Sequence, residues 1–250
     1  MSLSTTTAAM WVERWERQQQ RYAIDREERF TVVADVVEHV TMGRPEAQVV
    51  DLGCGPGSLA VRLSQRLPDA RIVAVDMDPV LLGLGRSLES DAVRYVDAVI
   101  GEPGWTDTLG LDGPLDAAVS TTALHYFPDR LLQTVYAQLA RILRPGGVLV
   151  NADHLLQEAA ELAAHVGHKR AGRQQAFAHE DWESWWAAAE QDPNLTALFH
   201  ERRRRHNRQD GNRNNGLTLA RHSEMLRHAG FSQVGSVWQV GNSCVLVAVR

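Results

Sequence analysis

The stretch Val49-Val50-Asp51-Leu52-Gly53-Cys54-Gly55-Pro56-Gly57-Ser58-Leu59 constrains the fold more than any other part of the chain. β-Branched residues lead to an acid, three glycines follow at alternate positions, and an apolar helical pattern begins at Leu59 with Ala60, Val61 and Leu63. A strand that turns sharply into a helix needs residues that accept positive φ and leave the backbone bare where a ligand is to lie. The helix after such a turn presents unpaired N–H groups and partial positive charge at its start. The stretch therefore predicts a strand–glycine loop–helix unit, which forms nucleotide-binding crevices in open α/β sheets.

Two common nucleotide fingerprints fail here. The dinucleotide pattern Gly-x-Gly-x-x-Gly would place its third glycine where Ser58 stands, and a phosphate-cradling loop would need a Lys that is missing. Asp51, just before the first glycine, would repel a pyrophosphate but suits a cation. The better fit is a ligand with a nucleoside at one end and a positively charged amino group at the other.

Further along, Arg71–Asp76 and residues 92–98 read as strands that also close on acids, Asp76 and Asp97. Asp76 lies roughly 20 residues beyond the glycine loop, where an acid accepts hydrogen bonds from ribose hydroxyls. Met77 is apolar and suits an adenine face, and Asp78-Pro79 reads as an N-cap and first turn of the next helix. Residues 99–114 read as a loop with one helical turn, and 115–120 as a strand. Residues 131–143 read as a helix closed by a turn at Arg144-Pro145-Gly146-Gly147, and 148–153 as a fifth strand. Residues 217–228 read as the last helix, followed by strands around Gly241-Asn242, a two-residue hairpin signal.

The pattern Asp51-x-Gly53-x-Gly55-x-Gly57, the acids at successive strand ends, Leu143-Arg144-Pro145-Gly146-Gly147 and the terminal hairpin resemble the class I S-adenosylmethionine (SAM) dependent methyltransferases. The stretch Leu124-His125-Tyr126-Phe127 resembles their small-molecule branch. The resemblance implies an α/β fold: a seven-stranded, doubly wound, mostly parallel sheet with a C-terminal antiparallel hairpin, an N-terminal helical lid and an insertion before the last helix. The expected division is an N-terminal helical cap at 1–46, a SAM-binding core at 47–154 and 216–250, and a helical substrate-side insertion at 155–215. It also implies that Asp51, Gly53, Cys54, Gly55 and Gly57 hold the methionine end, and that Asp76 holds the ribose. Met77, Asp97 and Ala98 would frame the adenine, with Ser120 beside the sulfonium. The implied reaction moves a methyl group from SAM to an oxygen or nitrogen of a small-molecule acceptor by in-line displacement and releases S-adenosylhomocysteine (SAH). His125 and His154 are the expected general bases for a protonated acceptor. The chain lacks both the Asn/Asp-Pro-Pro-Tyr/Phe signature of base N-methylation and a Pro-Cys nucleophile. The rival readings are an NAD-dependent reductase, a non-catalytic SAM-binding protein and an RNA methylase.

Outside the core the expectations are coarser. Residues 1–8 read as a loose leader, and Asp25 with Glu28 as a capping box. Trp11, Trp15, Tyr22 and Tyr126 are expected to line the acceptor side. Trp182, Trp185 and Trp186 share a helical face that suits either core packing or an apolar pocket. Arg202 to Arg205, with Arg208 and Arg213, read as a solvated loop, an anion contact or a nucleic-acid foot. His154, His165, His168 and His179 lack metal-ligand spacing, so no metal is expected. Over 250 residues, a net charge of −5 gives no field toward nucleic acid or membrane, and 2 cysteines make no disulfide framework. No apolar run approaches the roughly 20 residues of a membrane span. The expectation is a cytoplasmic enzyme with a small-molecule partner, with a homodimer left open.

Overall fold

The computed structural model describes residues 3–88, 92–206 and 215–250. Helices α1 (Thr5–Gln19) and α2 (Arg26–Thr41) precede the sheet. The core then alternates β1 (Gln48–Leu52), α3 (Ser58–Arg66), β2 (Arg71–Asp76), α4 (Pro79–Arg86), β3 (Val93–Asp97), α5 (Trp105–Thr108), β4 (Leu115–Thr121), α6 (Asp129–Ile142) and β5 (Leu143–His154). Helices α7 (Ala160–Arg173), α8 (Trp182–Glu190) and α9 (Thr196–His206) follow, before α10 (Leu219–Ala229), β6 (Gln233–Val240) and β7 (Ser243–Val249).

The strands form one seven-stranded sheet in the order β3-β2-β1-β4-β5-β7-β6. The first five strands pair in parallel, and β7 runs antiparallel to both β5 and β6. Strands this apolar need cover on both faces. Val50, Leu52, Val75, Ala118 and Leu149 point to one layer, packed by α6 and α10 through Tyr136, Leu139, Met225 and Leu226. Val49, Ala74, Val119 and Val150 point to the other, packed by Phe30, Val33 and Val37 of α2 and Leu59 and Leu63 of α3. The strand order reverses between β1 and β4, and a doubly wound sheet opens its ligand crevice there.

A third apolar cluster lies off the sheet. Trp11 and Trp15 of α1, Val80, Leu81 and Leu84 of α4, Trp185 and Ala189 of α8, and Phe199 of α9 are buried together. The Trp15 and Trp185 rings meet edge to face at 5.0 Å, a favoured aromatic geometry. The Trp182–Trp186 stripe is thus packing, and it joins the insertion to the N-terminal helix.

Four local expectations are corrected. Residues 5–8 are the first turn of α1: Ser4 accepts the Thr7 N–H at 3.2 Å, and Ala8 is fully buried. Asp25 caps nothing. Its φ of 51° turns the carboxylate away from the first turn of α2, and it instead accepts Arg170 Nε and Nη2, both at 2.9 Å, from α7. Arg144-Pro145-Gly146-Gly147 is not a closing turn but the irregular start of β5. Gly146 N–H donates to Arg250 O at 2.7 Å and Arg250 N–H to Gly147 O at 2.8 Å, which extends the ladder through it. Arg202–Arg205 lie on α9 rather than in a loop, while Arg208 and Arg213 fall outside the described residues. Among the described residues no helix is long and apolar enough to cross a membrane, and no group of three or more His, Cys, Asp or Glu could hold a metal.

The glycine loop is tightly covered. At Gly57, with φ of 93°, an added Cβ would run into the Tyr95 hydroxyl. Gly57→Ala is therefore expected to destabilise the protein by roughly 1–3 kcal/mol, and Tyr95→Phe in the same chain should recover only the steric part. Thermal melting of the two variants checks this.

Candidate active site

At the C-terminal ends of the parallel strands the backbone is drawn together around one carboxylate. Gly53 and Cys54 N–H both donate to Val75 O, at 2.8 and 3.1 Å, holding the loop against β2. Asp76 Oδ2 accepts the Gly55 N–H at 2.8 Å, and Oδ1 accepts those of Met77 at 2.7 Å and Asp78 at 2.9 Å. A carboxylate oxygen has two acceptor positions, so Oδ2 keeps one for a hydroxyl donor. Burial pushes the Asp76 pKa up, partly offset by these backbone donors.

Asp51 is different. It is fully buried, and neither carboxylate oxygen has a hydrogen-bond partner among the described residues. Burial pushes its pKa up to about 7; the nearby Ala60 backbone lowers it, and the Asp76 charge raises it further. Such a group takes either a proton or a cation. The amino group at the methionine end of SAM supplies the cation, so the residues present fit that cofactor.

The bare faces of the glycines are used unequally. Ala123 packs on Gly53, and Tyr95, whose hydroxyl donates to Pro56 O at 3.2 Å, packs on Gly57. At Gly55 the nearest group is the Trp15 ring, 3.6 Å from an added Cβ. Trp15 therefore roofs the loop. Trp11 does not: its Nε1–H donates to Asp192 Oδ2 at 2.7 Å inside the aromatic cluster. The buried Cys54 thiol has its pKa pushed well up.

At the ends of β2 and β3 α9 closes in. Arg205 Nη1 and Nη2 donate to the two Asp97 oxygens at 2.6 and 2.9 Å, and Nη1 also donates to Met77 O at 3.1 Å. Ala98 N–H donates to Asp76 O at 3.0 Å. One turn away, Arg202 Nε donates to Asp78 Oδ2 at 2.7 Å, and its guanidinium lies 3.9 Å from the Trp186 ring centroid.

On the β4–β5 side, Ser120 Oγ donates to Leu52 O at 2.9 Å, tying β4 to β1. His125, on a short 3-10 turn, sets Nδ1 2.7 Å from Asp153 Oδ1, and its backbone N–H donates to Asp153 Oδ2 at 3.1 Å. Burial would raise the Asp153 pKa, but the His125 hydrogen bond and charges around it hold the carboxyl below its usual value. This arrangement fixes the imidazole with Nδ1 toward the acid and leaves Nε2 for chemistry. His154 stands beside the pair. Burial and the Arg29 charge push its pKa down to about 4, which makes it a weak proton acceptor. Tyr126 packs against His125 with ring centroids 4.0 Å apart and planes tilted by 51°. Tyr22 is partly exposed, and its hydroxyl accepts the Trp182 N–H at 2.9 Å.

Most of the expected residues therefore gather at one edge of the sheet, with Trp11 apart. Three partners escaped the sequence reading. Asp153 read as a strand end on the ligand-binding side, with no role as the partner of His125. Arg205 belonged to a run that looked solvated. Arg29 heads the stripe that continues through Val33 and Val37, and a charge at such a position was the available signal.

Residues 49–147 match the family model described as a methyltransferase domain. The match runs from β1 through the glycine loop to the start of β5, and the seven-stranded sheet has the fold of the class I SAM-dependent methyltransferases. Among curated proteins, the chain is similar to trans-aconitate 2-methyltransferase of Deinococcus radiodurans, 38% identical over 118 residues, which are 44% of this chain and 41% of that protein. The enzyme of the same name from Methylobacterium nodulans is 29% identical over 175 residues, 65% of this chain and 64% of that one. The chain thus matches less than two thirds of the length of either relative. Among solved structures it is similar to an O-methyltransferase family protein from Burkholderia thailandensis, with a TM-score of 0.55 and 18% identity over 94% of this chain and 59% of that one. It is also similar to human N-acetylserotonin methyltransferase in complex with SAM, with a TM-score of 0.54 and 16% identity over 98% and 58%. At these identities the likeness is one of fold.

The Asp51 environment makes a pH-dependent prediction. Its pKa of about 7 in the folded chain lies above the ordinary aspartate value of 3.8. The folded state therefore binds the proton more tightly, and wild-type stability falls as pH rises through that window. Asp51→Asn should match wild type in melting temperature near pH 4, exceed it increasingly toward pH 7 and hold a constant margin above. Melting curves across pH 4–8 read this directly.

Proposed function

We propose that the protein transfers the methyl group of SAM to an oxygen of a small-molecule acceptor by in-line displacement, releasing SAH. The observation that carries this reading is the buried, unpartnered Asp51 carboxylate beneath a glycine loop at the strand-order reversal. Bound SAM supplies an activated methyl group. This chain's task is then placement: holding a nucleophile about 3 Å away and in line accounts for most of the acceleration.

In this reading Asp51 and the loop from Gly53 to Gly57 hold the methionine end, and the remaining acceptor position on Asp76 Oδ2 takes a ribose hydroxyl. Asp97, Met77 and Ala98 frame the adenine once Arg205 yields or turns outward. Residues 1–46 and 155–215 supply the acceptor side, through Trp15, Tyr22 and Tyr126. A hydroxyl acceptor loses its proton to His125 Nε2 while Asp153 holds Nδ1, whereas a carboxylate acceptor arrives ionised. Oxygen is favoured because the curated relatives are named for trans-aconitate, a small carboxylic acid.

Calorimetric titration tests the cofactor. SAM is expected to bind in the micromolar range and NADH to give no heat; the reverse would make this an oxidoreductase. Asp76→Asn should weaken SAM roughly tenfold, as expected when a buried hydroxyl loses its acceptor. Unchanged affinity in a folded variant removes Asp76 from the ribose.

For the base, His125→Ala should lower turnover of a hydroxyl acceptor at least tenfold at unchanged SAM affinity, and leave turnover of a carboxylate acceptor much less affected. Asp153→Asn should shift the pH–rate profile, because the imidazole loses the partner that fixes its tautomer. The assay uses trans-aconitate and a panel of small hydroxy acids. A protein that binds SAM but methylates none of them under any condition would favour a non-catalytic SAM-binding role.

A further inference from the structure

Arg29 is the one arginine among the described residues with buried guanidinium nitrogens that have no hydrogen-bond partner. It is 1% exposed, on α2, and reaches over the ends of β4 and β5. Nη2 donates to Ala152 O and lies 3.5 Å from Thr121 Oγ1. Nε and Nη1 have no hydrogen-bond partner among the described residues, and no carboxylate of those residues stands within ion-pair distance. The neighbouring Arg26 is already paired with Glu16. Asp153 contributes only a field, since its oxygens are engaged by His125 and the His154 N–H.

An unpaired buried guanidinium is among the most unfavourable groups a fold can hold. A structural arginine would have its planar fork filled by backbone carbonyls or an acid. Here Nη2 alone has a partner, and Nε and Nη1 are left without one where the side chain reaches the ends of β4 and β5. Nε and Nη1 lie on opposite sides of the guanidinium, so each has one charge-assisted hydrogen bond to give, an unmet need that a carboxylate oxygen can fill.

Either of two carboxylates could fill it: that of the cofactor's methionine end or one on the acceptor. Position separates them. The glycine loop and Asp51 sit at the end of β1, whereas Arg29 is anchored on Ala152 of β5, two strands further along the sheet. With strands about 4.8 Å apart, that is roughly 10 Å. It puts Arg29 near His154 and near Asp153, the partner of His125, on the side where the methyl-transfer reading places the acceptor.

We propose that Arg29 is the specificity-determining residue for the acceptor: it binds a carboxylate of a small acidic substrate and holds that molecule against the His125–Asp153 pair. This rests on the methyl-transfer reading above. It also names the substrate class, small organic acids, and excludes neutral phenols and amines without an acid group.

The test uses the full chain, loaded first with SAH and then titrated with trans-aconitate, fumarate and citrate and with their methyl esters. SAH is expected to bind wild type and Arg29→Gln within threefold of one another. At least one acid should bind SAH-loaded wild type and lose tenfold or more in Arg29→Gln, with partial rescue in Arg29→Lys, while the esters bind neither. Wild-type protein that takes no SAH overturns the methyl-transfer reading and this one with it. If SAH binds but weakens in Arg29→Gln while acid affinity holds, Arg29 serves the cofactor and the proposal is wrong. If SAH-loaded wild type binds no acid, or binds acid and ester equally, the proposal also fails. That last comparison needs no variant, so it decides even where Arg29→Gln does not fold.

Discussion

One carboxylate organises the ligand edge of this protein. Asp76 accepts backbone N–H groups from Gly55 on the loop and from Met77 and Asp78 at the entry to α4. Charge-assisted bonds of this kind are stronger than neutral ones. They join the end of β2, the turn after β1 and the start of a helix into one rigid corner. The same carboxylate keeps an acceptor position facing the crevice. A loop that would otherwise wander is thereby held in place by the strand end beside it.

Around that corner the chain builds two unequal walls. The wall at the ends of β2 and β3 is polar and closed, with Arg205 on Asp97 and Arg202 on Asp78. The wall at the ends of β4 and β5 holds a His–Asp pair, a neutral histidine and an arginine short of partners. The first wall is satisfied in the free protein. The second is not, which is the usual condition of a site awaiting a ligand. Asp51 belongs with the second: its burial without a partner is unfavourable to the free fold and favourable to a cation.

The sheet was legible because its signals are local and redundant. Each parallel strand is an apolar run ending in an acid or a small polar residue, and Gly241-Asn242 marks the hairpin. Asp78-Pro79 announced α4 through capping chemistry alone. What failed depended on distant partners. Asp25 looks like a cap, yet Arg170 on α7 holds its carboxylate. Arg144-Pro145-Gly146-Gly147 looks like a turn, yet Arg250 pairs with it. Arg202 to Arg205 look solvated, yet acids at the ends of β2 and β3 neutralise two of them. In the site, the residues carried by loop and strand ends were visible. The supporting roles of Asp153 and Arg29 were not, because their significance lies in which neighbours they have or lack.

The aromatic cluster has a consequence for how the protein matures. Trp11 and Trp15 leave the ribosome some 170 residues before Trp185 and Phe199, the side chains they pack against. At about 5–20 residues per second, α1 waits on the order of ten seconds or more with two indoles uncovered. During that interval the nascent chain carries a sticky N-terminal segment, and the crevice has no roof. Chaperone demand should therefore be concentrated early in translation, and competence to hold a nucleoside should come late.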